Sequence, residues 1–198
     1  MASRAFKPGD IVMKEFPLAS APGPLSEHVC FGCHRHFIKA YICCDCRSPL
    51  CGRDCQVSAE HQKECRYLTK IIPEIESRQQ KNGNKIQRVP VQLSMLMLPL
   101  RLLLLRNEEP DKWNQLMDLE SHMAARQTTS IWGFNQRNIA PFLEMMLIDE
   151  MPDINDKLVQ QICGAVDVNS FGFNEIAFPN YLYIIHLFVI CYFFRDSN

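Results

Sequence analysis

Seven cysteines and one histidine at short, regular spacings are the residues of this sequence best suited to chemistry. Their order is C-x2-C-x9-C-x2-C-x4-C-x3-C-x5-H-x3-C, and they are Cys30, Cys33, Cys43, Cys46, Cys51, Cys55, His61 and Cys65. A two-residue gap lets two thiolates from one tight turn reach a single ion. His61 and Cys65 are four residues apart, so a helix places them on one face. Structural zinc takes thiolate and imidazole ligands in tetrahedral groups of four, so eight ligands predict two sites.

Three other uses of these cysteines compete with zinc. A disulfide framework predicts a secreted chain, but the first 16 residues contain no apolar run of signal-peptide length. A reducing compartment, the nucleus or the cytoplasm, is therefore the predicted location. Scattered buried cysteines would not recur as close pairs, and the ordered histidine disfavours an iron–sulfur cluster. Cysteine pairs followed by a histidine at such spacing are typical of zinc sites.

With the histidine seventh in the ligand order, the segment 28–66 resembles the MYND zinc finger. RING and PHD fingers place their histidine in the middle of the order and fit less well. The resemblance implies interleaved ligand pairs, with one zinc held by Cys30, Cys33, Cys51 and Cys55. The second zinc is then held by Cys43, Cys46, His61 and Cys65. Cys44 lies outside this pattern as a bystander, or substitutes for Cys43 in a shifted register.

The charge of the chain offers little attraction to nucleic acid or to a membrane surface. Its formal net charge is −1. Residues 28–66 carry six Lys or Arg and four Asp or Glu, and seven thiolates with two Zn²⁺ bring that segment to −1 as well. A segment with this charge has little electrostatic attraction for a phosphate backbone, which argues against nucleic-acid binding.

Hydrophobic periodicity predicts a mostly helical region after the zinc ligands. The predicted helices cover residues 56–80, 91–105, 111–123, 138–148 and 154–166. Pro73 and Pro99 are expected to kink or split the first two. A short strand is predicted over residues 8–16, and the proline-rich residues 17–24 are predicted to be a linker that cannot continue it. The methionines Met95, Met97, Met145 and Met146 are expected to fill the core.

Several stretches resemble the SMYD proteins, which are protein lysine methyltransferases with a SET domain interrupted by a MYND finger and a helical insert. These stretches are AFKPGDIVMKEFPL, the finger, LPLRLLLLRNEEPDKWNQLMDLESH and ICGAVDVNSFGF, and the resemblance covers about residues 4–173. It implies a finger that docks short proline-containing peptides of partner proteins, and an enzyme that uses S-adenosylmethionine.

The departures from that family bear on catalysis. The family has a glycine-rich G-x-G turn before the first strand, and an N-H-S-C-x-P-N motif, a catalytic tyrosine and a cysteine-rich site further on. None of these is present, and no Asn-His pair occurs in the sequence. Asn169 matches a position that can contact the cofactor, but a turn or a helix end is its simpler interpretation. We therefore expect no catalytic residue and no S-adenosylmethionine site, because methyl transfer depends on holding both reactants in line.

The last residues, 174–198, do not match the family. Their apolar run, Tyr181–Phe194, is shorter than the roughly 20 residues that a membrane span needs, so we do not expect a membrane as the partner. Three interpretations remain open: non-homologous sequence from an alternative transcript or a gene-model error, a buried helix or strand that replaces lost core, and a short tail anchor.

The predicted fold is a small zinc-stabilised MYND finger with a mostly α-helical body and few strands. Its predicted segments are a strand remnant and linker (1–27), the finger (28–66), a helical insert (67–173) and the apolar tail (174–198). The predicted function is a zinc-binding protein-interaction module on a truncated SET scaffold. The alternative is a SMYD-like methyltransferase of which this chain is a fragment.

Overall fold

Helices make up most of the computed structural model, which describes residues 7, 16–23, 28–81, 89–173 and 184–187. The helices are α1 (Arg53–Gln56), α2 (Ala59–Lys81), α3 (Val89–Glu108), α4 (Pro110–Met117), α5 (Met123–Arg126), α6 (Ser130–Asn138), α7 (Ala140–Leu147) and α8 (Asp156–Asn169). The strands are β1 (Ser20–Pro22), β2 (Tyr41–Ile42), β3 (Pro49–Leu50), β4 (Ser170–Phe173) and β5 (Ile184–Leu187). The prediction of a mostly helical chain with few strands is confirmed.

Helix α3 lies at the centre of the helical body, which we define as residues 67–173. It packs against α2, α4, α7, α8 and β1. A helix that is apolar on nearly every face is stable only when other elements surround it. Leu96, Leu100 and Leu103 accordingly have no exposed surface. From the apolar pattern we expect Leu103, Trp113, Leu116, Phe142 and Ile162 to be buried; this is confirmed for all but Trp113, which is only half-buried.

One predicted helix was wrong in its bounds, a predicted split of another helix did not occur, and one helix was missed. Helix α2 runs unbroken through Pro73, because the buried Ile71, Ile72 and Ile75 hold both sides of the proline in the core. The helix predicted over residues 111–123 ends at Met117, and α5 begins separately after His122, whose φ is 48°. Helix α6 was not predicted. Its N-terminus is capped by Thr129, whose side chain accepts a hydrogen bond from the Trp132 amide.

One methionine departs from the predicted core role. Met97 and Met146 are fully buried and Met95 is half-buried, but 42% of Met145 is exposed. Met145 lies on the side of α7 that faces solvent, whereas Met146 and Leu147, which follow it, lie on the buried side.

A three-stranded antiparallel sheet has the order β1-β5-β4, with Ser20 opposite His186 and Gly172 opposite Ile185. The prediction that residues 17–24 only form a linker was therefore wrong for residues 20–22. Proline is tolerated in β1 because this strand lies at the edge of the sheet. β5 places four tail residues in a strand. The predicted strand over residues 8–16 lies outside the described residues except at Phe16, as does most of the tail.

Gly164 allows α8 to approach the residues before α5. A Cβ at this position would lie 2.4 Å from the Ser121 carbonyl oxygen. We predict that Gly164→Ala lowers the free energy of unfolding by about 1–3 kcal/mol. Gly133→Ala is the matched control, because its Cβ would meet only the Arg137 guanidinium, at 3.1 Å. This variant should be stabilised by roughly 0.5–1 kcal/mol. Urea denaturation tests the pair, and equal changes would contradict the close approach at Gly164.

No helix among the described residues is both long enough and apolar enough to cross a membrane.

Candidate metal centre

The two Cys-x2-Cys pairs form two copies of one backbone turn. In the first knuckle, Cys30–His34, the His34 amide donates to the Cys30 carbonyl at 2.9 Å. In the second knuckle, Cys43–Arg47, the Arg47 amide donates to the Cys43 carbonyl at 3.1 Å. His34 and Arg47 close these turns in the left-handed region, with φ of 59° and 58°. Such a conformation is unfavourable for a side-chain-bearing residue. A left-handed closing residue occurs in both knuckles. In each knuckle the turn brings the two thiols toward one point.

Regular structure positions the other four candidate ligands. Cys51 precedes α1 and Cys55 lies within it, which brings their Sγ atoms to 3.5 Å from one another. His61 and Cys65 are one turn apart in α2 and lie on its buried face. The predicted helical placement of this pair is confirmed.

The structure brings the eight residues together in two groups of four. The first group is Cys30, Cys33, Cys51 and Cys55. The second group is Cys43, Cys46, His61 and Cys65. Within each group the candidate ligand atoms all lie within 4.8 Å of one another. These are the interleaved sets that the family resemblance implies. Each knuckle therefore skips the next ligand pair along the chain and shares its group with the pair after it.

Distances within the groups fit a tetrahedral zinc site. Ligands at about 2.3 Å for sulfur and 2.0–2.1 Å for nitrogen define a tetrahedron with edges of roughly 3.5–3.8 Å. In the first group Cys33 Sγ lies 3.6 Å from Cys51 Sγ. In the second group the distance is 3.8 Å from Cys43 Sγ to Cys65 Sγ and 3.4 Å from Cys43 Sγ to His61 Nε2. Each group could therefore hold one zinc ion, with His61 coordinating through Nε2.

The groups differ in their exposure to solvent. All four members of the Cys₃His group are buried. In the Cys₄ group Cys30 is buried, but Cys51 is exposed and Cys33 and Cys55 are half-buried. A chelator should therefore reach the Cys₄ site more readily than the Cys₃His site.

The electrostatics of the groups favour a cation between the sulfur atoms. Burial, followed by the neighbouring thiols, raises the pKa of Cys55 and of Cys65. Burial also acts on Cys33, but hydrogen bonds from the Arg35 backbone and from neighbouring thiols outweigh it and lower its pKa to about 7. Burial lowers the pKa of His61 and so favours the neutral ring that binds metal. Several thiolates this close repel one another, and a bound dication reverses that repulsion.

Two polar residues near the ligands differ in their placement. Cys44 lies outside both groups. It is exposed, and its Sγ accepts a hydrogen bond from Gln56 Nε2 at 3.3 Å.

Ser48 was not predicted as a site residue, yet it is fully buried, with its Oγ 3.2 Å from Cys46 Sγ. A hydroxyl at this distance can donate to the thiolate and fix its orientation, as outer-shell residues of metal sites do.

Asn169 is the last residue of α8, in keeping with the simpler of its two interpretations. Its side-chain Nδ2 donates to the carbonyl oxygens of Glu120 and Ala165, both at 2.9 Å. The side-chain amide thus bonds the last turn of α8 and also joins it to the segment before α5.

No protein-family model matches the chain, and no curated protein matches it significantly.

Proposed function

We propose that this chain is a zinc-dependent protein-interaction module, in which a MYND-type finger (residues 28–66) binds two zinc ions and docks a proline-containing peptide. The observation that carries the proposal is the pair of interleaved four-ligand groups with tetrahedral spacing. A segment of this size cannot bury enough apolar surface to fold alone, so metal binding supplies its stability.

The finger also presents apolar side chains to solvent. Both residues of β2, Tyr41 and Ile42, are exposed, and so are Ile38 and Val57. β2 pairs with β3 on one edge, and no other described strand pairs with it. A strand with one edge free of other described strands and with exposed apolar side chains is suited to an added peptide strand. Tyr41 offers an aromatic ring of the kind that packs on proline.

Competing functions are less well supported. The near-neutral charge of the finger argues against nucleic acid as the partner. A methyltransferase that uses S-adenosylmethionine would need the G-x-G and N-H-S-C segments, which these 198 residues do not contain. The Asn169 amide is engaged at the end of α8. Calorimetry with S-adenosylmethionine should accordingly show no saturable binding. The nucleus and the cytoplasm are the proposed locations.

An array of short peptides, with proline placed at each position in turn, tests the docking surface. The zinc-loaded full chain should bind a subset of these peptides, and the chelator-treated chain should bind none. For the best binder we predict that Ile42→Ala raises the Kd by roughly tenfold, the effect of losing an interface residue worth more than 1 kcal/mol.

Ile148→Ala provides the matched control. Ile42 and Ile148 are both 47% exposed, but Ile148 lies at the C-terminal end of α7 in the helical body. Its substitution should leave the peptide Kd unchanged. Equal losses in the two variants, or peptide binding that persists after zinc removal, would contradict the assignment of β2 as the docking site.

A further inference from the structure

Arg101 connects the helical body to the finger. It lies in the apolar helix α3 between two fully buried leucines, and its guanidinium contacts the finger and the residues around β1. Nη2 donates to the Phe31 carbonyl at 2.7 Å and to the Glu64 carboxylate at 2.9 Å, and Nε also donates to Glu64. Nη1 donates to the Ser20 carbonyl and lies 2.8 Å from His34 Nε2.

The partners of this guanidinium are interspersed with the candidate metal ligands. Phe31 lies inside the first knuckle, between Cys30 and Cys33, and His34 closes that knuckle in the left-handed conformation. Glu64 lies on α2, between His61 and Cys65 of the Cys₃His group. Arg101 is therefore hydrogen-bonded to the chain segments that shape both groups.

His34 connects this contact to β1. A guanidinium can only donate hydrogen bonds, so His34 Nε2 must be the acceptor and Nδ1 must carry the proton. Nδ1 lies 3.4 Å from Ser20 Oγ, to which it can donate. The ring orientation of the residue that closes the first knuckle is thus set by Arg101 on one side and by Ser20 on the other.

Burial makes this contact specific to arginine. The Arg101 and Glu64 side chains are only 14% and 10% exposed. The planar fork of a guanidinium can satisfy a carboxylate and a carbonyl together. Lysine could keep the charge but not the several directed hydrogen bonds. The position therefore requires the planar fork.

We propose that Arg101 is a positioning residue for both zinc sites, so that the finger reaches its full zinc affinity only when α3 is docked against it. This inference rests on the proposed zinc binding. A Zn(Cys)₄ group carries −2 and a Zn(Cys)₃(His) group −1, so a fixed cation also offsets the charge of the loaded finger. The first knuckle depends on Arg101 directly. The Cys₃His site depends on Arg101 through Glu64. Without Arg101, the unpaired Glu64 carboxylate would repel the anionic metal site beside it.

Cobalt titration of the full chain, with zinc competition, can measure the two sites separately, since all-thiolate and thiolate–imidazole sites differ in their absorption bands. We expect Arg101→Met to weaken metal binding at the Cys₄ site by about 10–100-fold, the usual cost of losing an outer-shell partner. The Cys₃His site should weaken as well. Adding Glu64→Gln to this variant should restore the Cys₃His site and leave the Cys₄ site weak. A residue needed only for folding would not give this site-selective recovery.

Arg106→Met is the matched control. Arg106 lies on the same helix and forms a two-pronged contact with Asp153, at 2.9 and 2.7 Å, within the helical body. Its loss should leave both affinities unchanged. If Arg101→Met does not fold, Arg101→Lys tests the proposal instead. Lysine keeps the charge beside Glu64 but not the hydrogen bonds to the first knuckle, so we expect an unchanged Cys₃His site and a weakened Cys₄ site. Wild-type protein that binds no metal would refute the proposed function. Wild-type protein with two sites, beside an Arg101→Met or Arg101→Lys variant with unchanged affinities, would refute this inference alone.

Discussion

The purified chain should contain two zinc ions per molecule, and their removal by a chelator should unfold the finger. Structural zinc contributes an apparent binding free energy of about 10–16 kcal/mol near pH 7, which in a small metal-stabilised segment is largely folding energy. The loss should appear in nuclear magnetic resonance spectra as collapsed amide signals from residues 28–66. Because binding displaces protons from the thiols, zinc affinity should fall as the pH is lowered.

Two cysteine substitutions make this prediction specific. Cys33→Ala should lose one zinc ion, because Cys33 belongs to the Cys₄ group. Cys44→Ala should lose none, because the exposed Cys44 lies outside both groups. Elemental analysis that finds one zinc ion or none on well-folded wild-type protein would contradict the prediction. A zinc ion lost from Cys44→Ala would instead favour the shifted register.

Glu64→Ala should cause the largest loss of stability among single substitutions at an ion pair between α2 and α3. It leaves the Arg101 guanidinium buried without its carboxylate. Breaking a buried pair from one side costs about 3–5 kcal/mol, because the remaining charge has lost both its partner and its water. Urea denaturation at saturating zinc measures the change in the free energy of unfolding.

Glu108→Ala is the control for this substitution. Glu108 pairs with Lys63 at 3.1 Å and so joins the same two helices. Its side chain is 37% exposed and that of Lys63 is 55% exposed. An exposed pair contributes only about 0–1 kcal/mol. Similar losses in the two variants would mean that burial of the Arg101–Glu64 pair does not matter.

Local spacing predicted much of the candidate metal centre, but its pairing needed more than spacing. Two-residue gaps indicate knuckles such as Cys30–His34, because both thiols of a knuckle lie within one turn. Whether that knuckle shares an ion with Cys43 or with Cys51 depends on how the turns pack in three dimensions. The sequence spacing left this open, and only the family resemblance implied the interleaved sets.

Residues that act across long sequence distances could not be predicted in this way. The sequence gives Arg101, a charge within an apolar helix, no identifiable role, because its partners Phe31 and Glu64 are 70 and 37 residues away. A charged residue in the middle of such a helix is nevertheless a usable signal, since it must find a partner once it is buried.

Helix existence was easier to predict than helix continuity. The apolar pattern around Leu103 identified α3, since only burial can accommodate a helix that is apolar on all faces. At Pro73 the local cost of a proline was expected to kink or split the helix, but the helix continues through it, with the neighbouring isoleucines packed in the core. Strand β1 was missed for a related reason: the prolines argued against a strand, although an edge position accommodates Pro22.

X-ray absorption spectroscopy at the zinc edge on Cys51→Ala tests the interleaved sites most directly. Under the interleaved arrangement this variant keeps only the Cys₃His site. Its single zinc ion should then have three sulfur ligands near 2.3 Å and one nitrogen ligand at about 2.0–2.1 Å. If the pairs were filled in sequence order instead, Cys51 would belong with His61, and the surviving zinc would have four sulfur ligands and no nitrogen. That result would contradict the arrangement.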